Sequence, residues 1–506
     1  MACWLDISTA RPRLVRGLAL ALAALLASFA SPARAVDIVV TTTEDELTSD
    51  GDCSLRGAIR AANLNAAQDA CPAGSSTARD TIRLADGATY SLVLAGADNS
   101  ALVGDLDIFN NVAAADDLLI EVAGGGSATV SQDAAPDDVV FDVLNSASVT
   151  MRGITIRNGT SPATVSGGGV STDNGSSLTL EDCAFADNFG QNNAGAIFSR
   201  GSLTVTRCTF TRNVAQNSAG AISTSSGSTA TVSDSLFDDN RALSGSGGAI
   251  RNTGPLTVTG STFVANRAKV AGGAIANSST SADSLVIGTS CFVGNEDTAV
   301  VNFVATQQSA TGSWWGASDG PNIAFETGSG DSVDFDGTVD VSGFATSPLA
   351  GCRPLELVAN THFEIDHDAD DEPDRWRLRR LQQAGDGLDC SGSSCGLRMA
   401  GDGERSQALQ TILAPGSAGD SITFSARSSA ANVPASAGKY QVELSIIHSD
   451  GSVQRKTIKF SSGTHGFEEL AKTVVASENY DKLKVRVEYG RASGSVVFDD
   501  VSVVLE

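Results

Sequence analysis

A phenylalanine followed three residues later by an asparagine recurs at a regular interval in the middle of this chain: Phe185/Asn188, Phe210/Asn213, Phe237/Asn240, Phe263/Asn266 and Phe292/Asn295. Subtracting neighbouring positions gives Phe-to-Phe spacings of 25, 27, 26 and 29 residues. The first four copies lead into a step of small residues ending in Ala-Ile. These steps are Ala194-Gly195-Ala196-Ile197, Ala219-Gly220-Ala221-Ile222, Gly247-Gly248-Ala249-Ile250 and Gly272-Gly273-Ala274-Ile275. A unit this short cannot bury its own apolar face, so copies must stack and share one core. The middle of the chain is therefore a solenoid.

Each unit reads as strands. In Leu203-Thr204-Val205 and Cys208-Thr209-Phe210 apolar residues alternate with polar ones, and Leu256-Thr257-Val258 with Ser261-Thr262-Phe263 repeats the pattern. No helical period runs through these segments, and Gly, Ser, Asn and Asp fill the gaps. The Leu/Asn consensus of a leucine-rich horseshoe is absent, whereas three short strands per coil fit a right-handed parallel β-helix. Phe and Ile then stack in the lumen, and the repeated Asn bonds backbone groups of the next coil. Val149, Met151, Ile154 and Ile156, with Gly168-Gly169-Val170, align as a degenerate first copy. Past Phe292 the pattern decays through Ala299-Val300-Val301 into Trp314-Trp315-Gly316. The tryptophan pair reads as a closing cap, with one ring in the core and one on its end; the alternative is a sugar-stacking platform.

Arg11, Arg13 and Arg16 precede the apolar run 18–29, and Ala33-Arg34-Ala35 is a small-x-small step, the layout of a secretory leader over residues 1–35. That run is too short to span a membrane, and no other approaches the length needed. Setting aside Cys3 leaves eight cysteines for an oxidising compartment. Proximity and domain placement favour pairing Cys53 with Cys71, Cys291 with Cys352, and Cys390 with Cys395. Cys183 and Cys208 share one lumen position in successive coils, where buried free thiols are expected.

Asp50-Gly51-Asp52-Cys53-Ser54-Leu55-Arg56-Gly57-Ala58-Ile59, followed by Ala61-Ala62-Asn63, resembles the N-terminal signature of the CSLREA family of bacterial secreted proteins. Gly104-Asp105-Leu106-Asp107-Ile108 resembles that family's second signature, and Gly57 departs from it where the family has Glu. The Phe-x-x-Asn and Gly-Gly-Ala-Ile pair is similar to the repeats of polymorphic outer-membrane proteins. The resemblance implies an exported β-helix of the pectin-lyase type, with a cap over 36–110 and the solenoid over 111–352.

Composition shifts near residue 353. All four His and six of the seven Lys lie beyond it. Alternating stretches at 441–447, 456–460, 483–487 and 495–498 read as strands. Asn360-x-x-Phe363-Glu364, Pro373-Asp374-x-Trp376 and Phe498-Asp499-Asp500-Val501 resemble jelly-roll carbohydrate-binding modules, which implies a β-sandwich over 353–506 with Trp376 in its core. Tyr440, Tyr480 and Tyr489 are then the candidates for stacking on sugar. Asp366, Asp368, Asp370 and Asp374 stand at positions 1, 3, 5 and 9 of a loop resembling thrombospondin type-3 and EF-hand loops, a donor set that suits structural Ca²⁺. Asp371 replaces the usual Gly at position 6, and Arg377 takes the place of the bidentate Glu. The alternatives are an acidic solvated loop, or a site built from Glu364 with Asp499 or Asp500.

Charge narrows the partners. Residues 36–352 carry 13 basic and 35 acidic side chains, net −22 of the whole chain's −25. Such a surface repels nucleic acid, anionic lipid and polyuronates unless calcium bridges them. For catalysis, Asp116/Asp117, Asp137/Asp138 and Asp238/Asp239 are adjacent pairs whose members face opposite sides of a strand. Asp238-Asp239 occupies a variable repeat position and reads as surface chemistry. Residues 36–352 hold no His, so no Ser-His-Asp set can form there. The expectation is an exported non-catalytic recognition or adhesion protein for extracellular glycan or matrix, secreted or at the cell surface. The alternatives are a polysaccharide lyase or glycoside hydrolase, and a purely structural surface protein. No residue is expected to be catalytic.

Overall fold

The computed structural model describes residues 35–109, 117–132, 138–280, 284–296, 298–316, 319–323, 330–333 and 339–349. Beyond these it describes 352, 355–356, 358, 363, 376–381, 386–389, 396–412, 416–435 and 438–505. The chain is a right-handed parallel β-helix followed by antiparallel sheets. Three long parallel sheets form the solenoid walls. An eleven-stranded sheet runs from Asp37–Val39 to Val339–Asp340, a ten-stranded one from Leu106–Phe109 to Pro321–Ile323, and an eight-stranded one from Thr89–Leu92 to Cys291–Val293. A ribbon of two-residue strands, Thr160–Ser161 to Arg267–Ala268, adds a fourth line.

Register follows the sequence repeat. Phe185 pairs with Phe210, Phe210 with Phe237, Phe237 with Phe263, and Phe263 with Phe292. Their rings stack at 4.7–5.0 Å between centroids and within 7° of parallel. Offset-stacked rings add about 0.5–1.5 kcal/mol per pair beyond their burial. Ile197, Ile222, Ile250, Ile275 and Val300 form a second buried column. The degenerate first copy takes its aligned place, with Val149, Met151, Ile156 and Val170 opposite Leu178, Leu180, Phe185 and Ile197.

The asparagines form a buried ladder. Asn213 accepts on Oδ1 from the backbone and amide N–H of Asn188, while its own amide donates to the Phe185 carbonyl and to Asn240 Oδ1. Asn240, Asn266 and Asn295 repeat this, so the backbone bonds go to the preceding coil rather than the next. Asp331 ends the ladder as acceptor for Asn295. Cys183 and Cys208 are buried free thiols in a column continued by Ser235, Ser261, Ser290 and Ser313.

The small-residue steps have two separate causes. Ala194, Ala219, Gly247 and Gly272 sit at φ of 61°, 66°, 74° and 71°, the left-handed region that costs a side chain about 1–2 kcal/mol. The next residue approaches the following coil. A Cβ on Gly220 would lie 2.2 Å from the Gly248 carbonyl, and one on Gly248 2.0 Å from the Gly273 carbonyl. Asp239 is likewise a corner residue, at φ 49° and 9% exposed, so it is not the surface position its variability suggested.

At the N-terminal end an amphipathic helix, Leu55–Leu64, is capped by Ser54 accepting from the Gly57 N–H. Its Leu55, Ala58 and Ile59 join the solenoid core, and the Cys53–Cys71 bridge ties it to the following loop. At the other end Trp315 enters the lumen stack. Trp314, 6% exposed, belongs to a second core with Val264, Cys291 and Val293, so neither ring is a sugar platform. The Cys291–Cys352 bridge lies beside it.

The second core otherwise fills two five-membered antiparallel arrays. One runs Gly387–Asp389, Gly396–Ala400, Ser495–Leu505, Ser421–Val433, Gly463–Val475, with Leu355–Glu356 added on Ser495–Leu505. The other runs Arg377–Arg379, Ser406–Ile412, Tyr480–Tyr489, Tyr440–His448, Val453–Lys459. Trp376 is buried against Phe363, ring centroids 4.8 Å apart.

Candidate functional site

The outward positions of the eleven-stranded sheet carry hydroxyls in register. Thr150, Thr179, Thr204, Thr231 and Thr257 are successive cross-strand neighbours. Ser177, Ser202 and Thr229 flank them on one side, and Thr206, Ser233 and Thr259 on the other. Thr204, Thr231, Thr257, Ser202, Thr229 and Thr259 are exposed. Parallel strands set such neighbours about 4.8 Å apart along the solenoid and residues i, i+2 about 6.6 Å apart across it. Each hydroxyl donates one hydrogen bond and accepts two. The sequence contained this signal, since the polar residue between the lumen side chains is Thr in coil after coil, but it read there only as strand alternation.

The sugar-stacking tyrosines need correction. Tyr440, Tyr480 and Tyr489 are 2%, 1% and 1% exposed, and their rings face the second core. Tyr440 donates to Ser428 Oγ, Tyr480 to Asp420 Oδ2 at 3.0 Å and Tyr489 to the Ser493 carbonyl at 2.7 Å. Burial pushes all three phenols up, Tyr489 to about 12. Each occupies an inward position of its strand, and buried tyrosine reaches a partner with its hydroxyl. Among the described residues of this region the exposed phenyl ring is instead that of Phe467, 52% exposed, with the Arg427 guanidinium 4.7 Å above its centroid. Arg427 also pairs with Asp499 and Asp500, which occupies the carboxylates considered as calcium partners of Glu364. Asp366, Asp368, Asp370, Asp374, Glu364, Cys390, Cys395 and the leader through residue 34 lie outside the described residues.

A group of carboxylates without a hydroxyl's neutrality lies under the N-terminal cap. Asp105 and Asp107 are each 1% exposed, and Asp107 is the cross-strand partner of Asp142. One carboxylate oxygen from each of the three lies within 4.8 Å of the others. Arg56, 1% exposed, pairs with Asp45 and donates to the carbonyls of Gly104 and Asp105, which fixes the loop but leaves the carboxylates alone. Burial, then neighbouring carboxylates, pushes Asp105 up to about 10. Burial raises Asp107 to about 7 and Asp142 to about 6. One Asp just before a strand and one within it, the latter facing a third across the ladder, was readable only once the register was known.

Residues 96–291 match the family model described as the right handed beta helix region. That span contains the carboxylates and most of the hydroxyl face. No curated protein matches the chain. Three similar solved structures each cover under a third of it. A family 16 carbohydrate-binding module aligns at 12% identity and TM-score 0.22, over 29% of this chain and 99% of the module. The CBM22-1 xylan-binding domain from Paenibacillus barcinonensis aligns at 15% and 0.20, over 29% and 91%. A Stig cyclase from Fischerella sp. TAU aligns at 14% and 0.23, over 30% and 96%.

Proposed function

We propose that this protein is an exported, non-catalytic recognition protein whose solenoid presents a flat hydroxyl face to a neutral extracellular glycan. The observation that carries the reading is the in-register array of Thr204, Thr231 and Thr257 with its Ser and Thr flanks. It is rigid, because its backbone is tied into an eleven-stranded sheet. It is uncharged on a solenoid of net −22, which disfavours anionic polymers and leaves neutral polyols as partners. Hydroxyl groups repeated in two directions can exchange hydrogen bonds with the repeated hydroxyls of a polysaccharide. Asp105, Asp107 and Asp142 have the raised pKa values of general acids, but Asp105 and Asp107 are each 1% exposed and cannot reach a polymer. The two bridges Cys53–Cys71 and Cys291–Cys352 support an oxidising location. Among the described residues no helix is long and apolar enough to cross a membrane.

The test is a glycan array with the full chain, repeated with Thr204→Val/Thr231→Val and with Phe467→Ala. Valine keeps the shape and strand preference of threonine and removes the hydroxyl. Binding to neutral glycans should fall at least tenfold in the double valine variant at unchanged melting temperature. Binding lost only in Phe467→Ala would move the site to the antiparallel sheets. Release of new reducing ends or unsaturated uronate from a polysaccharide would overturn the non-catalytic reading.

A further inference from the structure

We propose that Asp105, Asp107 and Asp142 bind a calcium ion that pins the N-terminal cap onto the first coils of the solenoid. Asp105 and Asp107 are two residues apart and so share one face of the chain entering Leu106–Phe109, while Asp142 stands directly across the ladder in Phe141–Leu144. Like charges placed directly opposite on neighbouring strands destabilise a sheet, and burial multiplies that cost. Three such groups in one corner must either hold protons or share a counter-charge.

Hydrogen bonding leaves room for that counter-charge. Oδ1 of Asp105, of Asp107 and of Asp142 has no hydrogen-bond partner, although Asp105 and Asp107 are each 1% exposed. The other oxygen of Asp107 accepts from the Ala101 N–H, which orients the group. Asn63 donates to the Asp107 carbonyl and Arg56 to those of Gly104 and Asp105, so the helix and the loop hold the ligand-bearing strand from behind. Asp98, Asp138 and Asp173 add negative potential around the corner. Arg200 is the cation acting on Asp142, and it is engaged with Asp173 and the Phe198 ring.

Burial and ligand type select the ion. One carboxylate oxygen from each of the three lies within 4.8 Å of the others, close enough to converge on one cation. Magnesium demands a near-ideal octahedron and gives up its waters reluctantly, whereas calcium accepts six to eight oxygens in flexible geometry, which suits a buried corner. All three donors are hard oxygens, and carboxylates taken singly or in pairs, with water, meet calcium's demand for six to eight. Because the ligands come from the cap-side strand and the first coil, the ion ties one to the other.

The test uses the full chain with calcium chloride, magnesium chloride and chelator. Calorimetric titration should show a calcium site whose affinity falls at least tenfold in Asp107→Asn/Asp142→Asn and is unchanged in Asp368→Asn/Asp370→Asn. Hydrogen exchange on the unaltered protein should show calcium slowing exchange at 96–109 and 139–144, a readout that survives if the variant fails to fold. In chelator the Asn variant should melt no lower than the unaltered chain, since neutral amides remove the repulsion. Exchange at 96–109 indifferent to millimolar calcium would overturn the proposal. So would an equal response to magnesium, or a calcium response abolished only by the Asp368/Asp370 change.

Discussion

The indole of Trp315 lies 4.6 Å from the Phe292 ring, centroid to centroid, at an interplanar angle of 15°. It is the sixth ring of the column that begins at Phe185, and it is fully buried. The lumen stack thus ends on the largest available side chain just where the repeat stops, and a wide indole covers the last phenylalanine where no further coil of the same kind follows. Its Nε1 has no hydrogen-bond partner, a small polar cost accepted for the packing.

Truncating a ring inside this column removes burial and two stacking contacts together. Phe237→Ala should destabilise the solenoid by about 3–5 kcal/mol, and Phe237→Leu by clearly less. Urea unfolding of the two variants measures the difference. Equal and small losses would mean the column does not hold the coils together.

The two residues of the small-residue step should respond with opposite signs. Gly220→Ala puts a Cβ 2.2 Å from the Gly248 carbonyl and the Arg241 nitrogen, an overlap that backbone cannot relieve locally. A loss of at least about 1–3 kcal/mol is expected. Ala219→Gly relieves a left-handed alanine at φ 66° and should be neutral to stabilising by up to roughly 1 kcal/mol. Thermal melting of both variants beside the parent checks the pair.

Asp331 makes stability depend on pH. Burial raises its carboxyl to about 7 from the ordinary 3.8, against the pull of the Asn295 hydrogen bonds. Between these two values the folded protein keeps a proton that the unfolded chain releases. This group's contribution is therefore fully present below about pH 3.8 and is lost as pH rises toward 7. Asp331→Asn keeps an acceptor for Asn295 and removes the titration. It should be more stable than the parent at pH 8 by roughly 1–4 kcal/mol, with the gap closing at pH 4. Denaturant melts at the two values would expose a parallel offset, which is incompatible with this account.

The Cys53–Cys71 bridge closes a short loop across the capping helix, with a sequence separation of 18. Cys53→Ser/Cys71→Ser should cost about 2–4 kcal/mol of cap stability. Proteolysis should then cut within 37–110 before the repeats. First cleavage inside the Phe-x-x-Asn coils would show that the cap is not the weaker part.

Much of this architecture was legible because a solenoid repeats its physics at a fixed period. Phe185 to Phe292 and Asn188 to Asn295 announce a stacked column and a ladder, since identical residues one coil apart must meet. Cys53 with Cys71 was legible for a similar reason, being local. Tertiary structure alone decided what lies on which side and how deep. Tyr440, Tyr480 and Tyr489 looked available for a ligand because tyrosine has both an apolar body and a polar tip; the strand register turned all three inward and left Phe467 outside. Asp105 and Asp142 are 37 positions apart by subtraction and belong to different coils, so no sequence window holds both. Cross-strand pairing of Asp107 with Asp142, and the cap lying over them, convert three carboxylates scattered along the chain into one group. Burial and proximity across coils are properties of the folded chain, and period alone cannot supply them where the repeat is interrupted by a cap.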